Sequence, residues 1–176
     1  MGESSGSVSL SRRAFFSGRA AAPVTLPLRP PWALLEDDFI KACTTCDDCH
    51  TVCDEGIIVR GSGGYPEVDF SKGECTFCTD CAKACDSGAL SVRNNHTLQP
   101  WGLKAQIGSN CLSDQGVMCR VCGDRCDARA IRFQLVVGGR ATPILDQASC
   151  TGCGACIAPC PTDTIEIIQP KSEEQP

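Results

Sequence analysis

Large apolar residues are thin along this chain and come in short runs rather than long stripes. Four runs stand out: Ile57-Ile58-Val59, Val68 to Phe70, Ile131 to Val137, and Ile144-Leu145. Short runs rich in β-branched residues read as strands. Gly63-Gly64 lies between the first two and Gly138-Gly139 between the second two, and glycine supplies the positive φ that a tight turn needs. Two hairpins are therefore predicted. No apolar run is long enough to span a bilayer.

Composition explains the thinness. Hydrophobic residues are 42% of the 176, but this figure includes 16 cysteines, and only 5% of residues are aromatic. Without the cysteines roughly a third remains, too little for a conventional one-core enzyme of this length. Something held by the cysteines must replace much of the missing core. They fall into four clusters: Cys43, Cys46, Cys49, Cys53; Cys75, Cys78, Cys81, Cys85; Cys111, Cys119, Cys122, Cys126; and Cys150, Cys153, Cys156, Cys160. The first, second and fourth read C-x2-C-x2-C-x3-C, and the third has a longer first gap, C-x7-C-x2-C-x3-C.

Three chemistries compete for such cysteines. Disulfides need an oxidising compartment, and cysteines this close on a tight loop are awkward to bridge. Structural zinc usually takes two C-x2-C knuckles separated by a longer stretch. A [4Fe–4S] cube takes three thiolates from a C-x2-C-x2-C loop and one from further along, so four motifs predict four clusters.

Alignment on the last cysteine of each motif exposes an internal repeat. Ile58, Leu90, Ile131 and Ile165 stand five residues after it; Arg60, Val92, Phe133 and Ile167 stand seven after. The spacing predicts a short helical turn at the cysteine, then a strand with one face over the cluster. The hairpins join motif one to two and motif three to four, giving an α+β chain of two tandem 2[4Fe–4S] ferredoxin-like domains. The expected boundaries are a basic, Pro-rich, mostly irregular arm 1–35, a first domain 36–93, a connection 94–106, a second domain 107–169 and a tail 170–176.

In two-cluster ferredoxins the fourth cysteine of a motif serves the other cluster. That predicts Cys43, Cys46, Cys49 with Cys85, and Cys75, Cys78, Cys81 with Cys53. It also predicts Cys111, Cys119, Cys122 with Cys160, and Cys150, Cys153, Cys156 with Cys126. Cys111 is the least secure ligand, because its long gap reads as a floppy loop.

The net charge of −5 is unevenly spread. Residues 1–35 carry Arg12, Arg13, Arg19 and Arg29 against Glu3 alone, while the rest holds 12 bases and 20 acids. No nucleic-acid partner is expected of so acidic a body; a basic arm suits an acidic partner. Phe15, Phe16 and Trp32 are its candidate apolar anchors. Asp47, Asp48, Asp54, Asp80, Asp86, Asp124 and Asp127 lie in or beside motifs, where they lower a cluster's potential or merely form a solvated face; Arg120 and Arg125 act oppositely. His50 and His96 show no special role, and no catalytic triad, nucleotide-binding glycine motif or paired-carboxylate site is present. Ser11-Arg12-Arg13-Ala14-Phe15-Phe16 looks like a twin-arginine export signal, but Arg19, Pro23, Pro27, Arg29, Pro30 and Pro31 break the apolar stretch that should follow.

The arm, Arg29-Pro30-Pro31-Trp32, Gly63-Gly64-Tyr65-Pro66, the Cys111-Leu112 to Cys119-Arg120 loop and Cys153-Gly154-Ala155-Cys156 together resemble the NapF family of ferredoxin-type accessory proteins. That resemblance implies a cytoplasmic protein, not itself an enzyme, that binds the catalytic molybdenum subunit of periplasmic nitrate reductase and assists its maturation, by electron supply or cluster assembly, before export. A different reading is an electron-transfer subunit resident in a redox complex; a third is a scaffold whose clusters only hold the fold.

Overall fold

The computed structural model describes residues 27–92, 100–136, 138 and 140–169. Its elements are short, as the sparse apolar runs require: α1 Glu36–Ala42, α2 Asp48–Thr51, β1 Ile58–Arg60, β2 Pro66–Val68, α3 Asp80–Lys83, β3 Lys104–Ile107, α4 Val121–Asp124, β4 Ile131–Val136, β5 Arg140–Leu145 and β6 Ile165–Ile168. The result is a small mixed helix–strand fold.

Both predicted hairpins form. β1 pairs antiparallel with β2 across Gly63 and Gly64, whose φ of 68° and 81° only glycine adopts without strain. β4 pairs antiparallel with β5, with Gly138 at φ 94° in the turn. Each half of the chain is also closed on itself. Ala33 bridges to Leu90 in the first half, and β3 pairs antiparallel with β6 in the second.

The repeat seen in the sequence is a repeat of packing. Ile58, Leu90, Ile131 and Ile165 are all buried, at 2%, 2%, 6% and 6% exposure. Two positions further on the pattern loosens: Arg60 and Val92 are exposed, and Phe133 and Ile167 are half-buried. One core gathers Trp32, Phe39, Ile57, Ile58, Val68, Phe70 and Leu90; a smaller one gathers Ala105, Ile131, Cys156 and Ile165. Ile157 and Ile167 pack against both, so the two halves share a wall.

Three expectations need correction. Residues 1–26 of the expected arm lie outside the described residues, but its last part is built into the body. Pro30 and Trp32 are buried, the Val68 amide donates to the Leu28 carbonyl, and the Leu34 amide donates to that of Ala89. Trp32 is thus a core residue with no face free for docking. The expected connection 94–106 also ends too late, because Leu103 and Ala105 are buried and β3 begins at Lys104.

The Cys111–Cys119 loop, finally, is not floppy. Gln115 and Val117 donate backbone hydrogen bonds to Cys111 and Leu112, and buried Ser113 donates its hydroxyl to the Ala141 carbonyl on β5. With the Cys111 and Gly116 amides also bonded, to the Gly108 and Ser113 carbonyls, these contacts hold the long gap in place.

Candidate metal centres

No disulfide joins any of the sixteen cysteines in this structure. Their positions follow from one backbone device used repeatedly. The third cysteine of motifs one, two and three sits on a single helical turn: Cys49 on α2, Cys81 on α3, Cys122 on α4. The residues either side of the second cysteine are left-handed in motifs one, two and four: Thr45 and Asp47, Phe77 and Thr79, Gly152 and Gly154. Three residues after the fourth cysteine every motif is left-handed again, at Gly56, Gly88, Arg129 and Asp163. In each case that residue's amide donates to the carbonyl of the fourth cysteine, at 2.8–3.3 Å. Left-handed backbone at non-glycine residues costs about 1–3 kcal/mol each and gathers where a site dictates the chain path.

The path creates four cavities. The first is lined by Cys43, Cys46, Cys49 and Cys85, with about 380 Å³ counted to its mouth. The second is lined by Cys53, Cys75, Cys78 and Cys81, with about 550 Å³. The third holds Cys111, Cys119, Cys122 and Cys160 in about 340 Å³, and the fourth Cys126, Cys150, Cys153 and Cys156 in about 330 Å³. Each cavity therefore takes three thiols from one motif and the fourth from its partner motif, with no cysteine shared or left over. The remaining lining is largely apolar, for example Phe39, Ala89 and Leu90 in the first and Ile107, Leu112 and Ile165 in the third.

The donor set suits a cationic guest that carries its own bulk. Burial, more than the neighbouring thiolates, pushes the Cys49, Cys75 and Cys122 thiols up to about 11, and those of Cys81 and Cys156 to about 12. A metal group must displace those protons to bind. Amide donors are supplied as well: Leu90 to Cys85 Sγ at 3.3 Å and Ala105 to Cys150 Sγ at 3.4 Å. Burial also pushes Cys160 up, but the amides of Thr162, Thr164 and Ile165 and the Thr162 hydroxyl outweigh it and hold the thiol below its ordinary value. Among the described residues no three Cys, His, Asp or Glu side chains converge on a point where one ion would sit. Zinc needs such convergence, whereas thiolates on a cube stand apart around its corners.

Most motif acids face water, although Asp47 and Asp54 also line the first and second cavities. Asp48, Asp54, Asp86, Asp124 and Asp127 are exposed, Asp47 pairs with Arg60, and Asp80 pairs with Lys83. Their effect on a bound group is screened accordingly. Arg120 lies over the Phe133 ring and Arg125 pairs with Glu74. His50 is exposed, and His96 lies outside the described residues.

The sequence reading missed the left-handed position after each fourth cysteine. Gly56 and Gly88 signal it, but Arg129 and Asp163 hide it in the other two motifs.

A fold of short turns around four-cysteine cavities is that of a ferredoxin-type iron–sulfur protein. The profile of a 4Fe-4S binding domain matches residues 143–166, which contain the first three cysteines of the last motif and Cys160. The ferredoxin-type protein NapF of Haemophilus influenzae is 45% identical over 147 residues, 84% of this chain and 82% of that protein. NapF of Escherichia coli K12 is 42% identical over 158 residues, 90% of this chain and 94% of that protein. The methylamine utilization ferredoxin-type protein MauM of Paracoccus denitrificans is 35% identical over 81% of this chain and 70% of its own length. The chain belongs to the NapF family of ferredoxin-type proteins. It is an electron-transfer or accessory iron–sulfur protein, not an enzyme. No helix among the described residues is long and apolar enough to cross a membrane.

Proposed function

We propose that the sixteen cysteines hold four [4Fe–4S] clusters, one per cavity, in two tandem ferredoxin-like units. The reading is carried by one observation: four cavities are each lined by four cysteines in the crossed grouping. Clusters bound there would supply one-electron chemistry. The chain supplies thiolates, amide donors to Cys85, Cys150 and Cys160, and largely apolar walls around the sulfurs.

The partner in this reading is the catalytic molybdenum subunit of periplasmic nitrate reductase, which the protein assists before export by electron supply or cluster assembly, in the cytoplasm. Its support is family membership. The alternative is a subunit resident in a redox complex.

Co-purification separates the two. A maturation factor retains the apo catalytic subunit and releases the finished enzyme; a resident subunit stays with active enzyme, and that result would overturn the maturation reading. A scaffold without redox function would show clusters that cannot be reduced in an EPR-monitored titration. The arm is tested by deleting residues 1–26, short of the buried segment. Partner binding should be lost with all iron retained, and unaltered binding would place the docking surface elsewhere.

A further inference from the structure

The cavities are not two isolated pairs. Within the first half, α2, which carries Cys49 of the first cavity, packs against α3, which carries Cys81 of the second. Within the second half, Cys122 of the third cavity packs against the small core that contains Cys156 of the fourth. Between the halves, the second and fourth cavities meet directly. The Cys75 amide donates to the Cys153 carbonyl at 2.8 Å, and these two residues line different cavities.

The approach is built from both sides. A Cβ on Gly154 would collide with the Phe70 ring, so glycine there permits the close seam, while Gly152 lets its own half close against the Leu103 backbone. Trp101 stands edge-on to Phe70 and Phe77, each at 5.8 Å between ring centroids, and its indole N–H donates to the Thr151 carbonyl at 3.0 Å. Arg125 beside the fourth cavity reaches Glu74 beside the second, at 3.6 Å.

We propose that the Cys75–Cys153 hydrogen bond is the junction by which electrons cross between the two halves, making the cavities one linear relay in the order first, second, fourth, third. This rests on the four-cluster reading above. The path from Cys75 Sγ to Cys153 Sγ runs through each residue's own covalent bonds and that one hydrogen bond. One electron crosses per step and no proton moves: the group in the second cavity is oxidised by one electron and that in the fourth is reduced by one. The first electron comes from a one-electron reductant, dithionite in the test. Trp101 and Phe70 act as positioning residues, because neither lines any of the four cavities. The first and third cavities become the relay's two ends, where exchange with partners takes place.

The test uses full-length, anaerobically purified protein and the variants Trp101→Ala, Phe70→Ala and Trp101→Phe. Iron and sulfide are counted first, and about sixteen irons are expected in each. In fully reduced wild type, EPR should show spin coupling extending across all four groups. In Trp101→Ala and Phe70→Ala it should collapse to that of two separate pairs. Electron equilibration after a sub-stoichiometric pulse of dithionite should slow by an order of magnitude or more, with Trp101→Phe recovering part of the rate. Wild-type spectra of two independent pairs would overturn the junction, as would unchanged coupling and rate in both alanine variants. A wild-type count of about eight irons would instead refute the four-cluster reading itself.

Discussion

Arg29 grips Glu36 through two hydrogen bonds, Nη2 to Oε1 at 2.7 Å and Nε to Oε2 at 3.0 Å. The same guanidinium donates to the Pro66 carbonyl and lies over the Phe39 ring, 4.9 Å from its centroid. One side chain thus ties the segment before α1 to the helix, to β2 and to the core. Paired, planar donation of this kind is beyond a lysine.

Replacing Arg29 by Ala should lower stability by about 1.5–3 kcal/mol, the range for hydrogen bonds to charged groups. The loss is measured as the guanidinium midpoint of the intact, cluster-bearing protein. An unchanged midpoint would mean that the segment is dispensable.

The pH dependence of the pair has a definite sign. The hydrogen bond from Arg29 holds the Glu36 carboxyl below its usual value, against the opposing pull of burial. Its stabilisation is therefore complete above the unfolded glutamate value of about 4.3 and is lost as the pH falls below it. The stability difference between wild type and Glu36→Gln should stay flat from about pH 8 to pH 6. A slope in that window would assign the stabilisation to another group.

The left-handed positions after the fourth cysteines make a matched set. Gly56 and Gly88 have nothing within 4 Å of a built Cβ, so an alanine there meets only backbone strain. Gly56→Ala and Gly88→Ala should each cost about 1–2 kcal/mol. Arg129→Gly and Asp163→Gly relieve the same strain and should raise the thermal midpoint. Equal and opposite behaviour of the two pairs is the signature; destabilisation by all four would point to side-chain contacts instead.

Cys111 and Ser113 bear on the third cavity alone. Cys111→Ser should lower iron from about sixteen per chain to about twelve by loss of one cluster, or to about fifteen by its conversion to a three-iron form. Ser113→Ala frees the loop from β5 and strands the Ala141 carbonyl, a penalty of about 1–3 kcal/mol. It should leave the iron count intact but hasten chelator-driven loss of one cluster out of four. Full retention of iron by Cys111→Ser would remove that residue from the ligand set.

Much of the site was legible because cysteine spacing and apolar periodicity are both local. The motif count, the two Gly-Gly hairpins and the buried positions five residues after each fourth cysteine were read directly. What stayed hidden depends on long-range partners or on backbone angles that a side chain does not announce. Arg29, Pro30, Pro31 and Trp32 look like a solvated linker until Glu36, Phe39 and the bridge at Leu90 are beside them. β3 pairs with residues some sixty positions later, so its start at Lys104 carries no local signal. Gly152 and Gly154 read as ordinary motif glycines, and only Leu103 and Phe70 show what their missing Cβ atoms permit.

The central claim is that each cavity holds one [4Fe–4S] cluster. Anaerobic purification with iron, acid-labile sulfide and zinc counting on the same sample tests it most directly. The account predicts about sixteen irons and about sixteen sulfides per chain with no stoichiometric zinc. Four zincs without sulfide would contradict it outright.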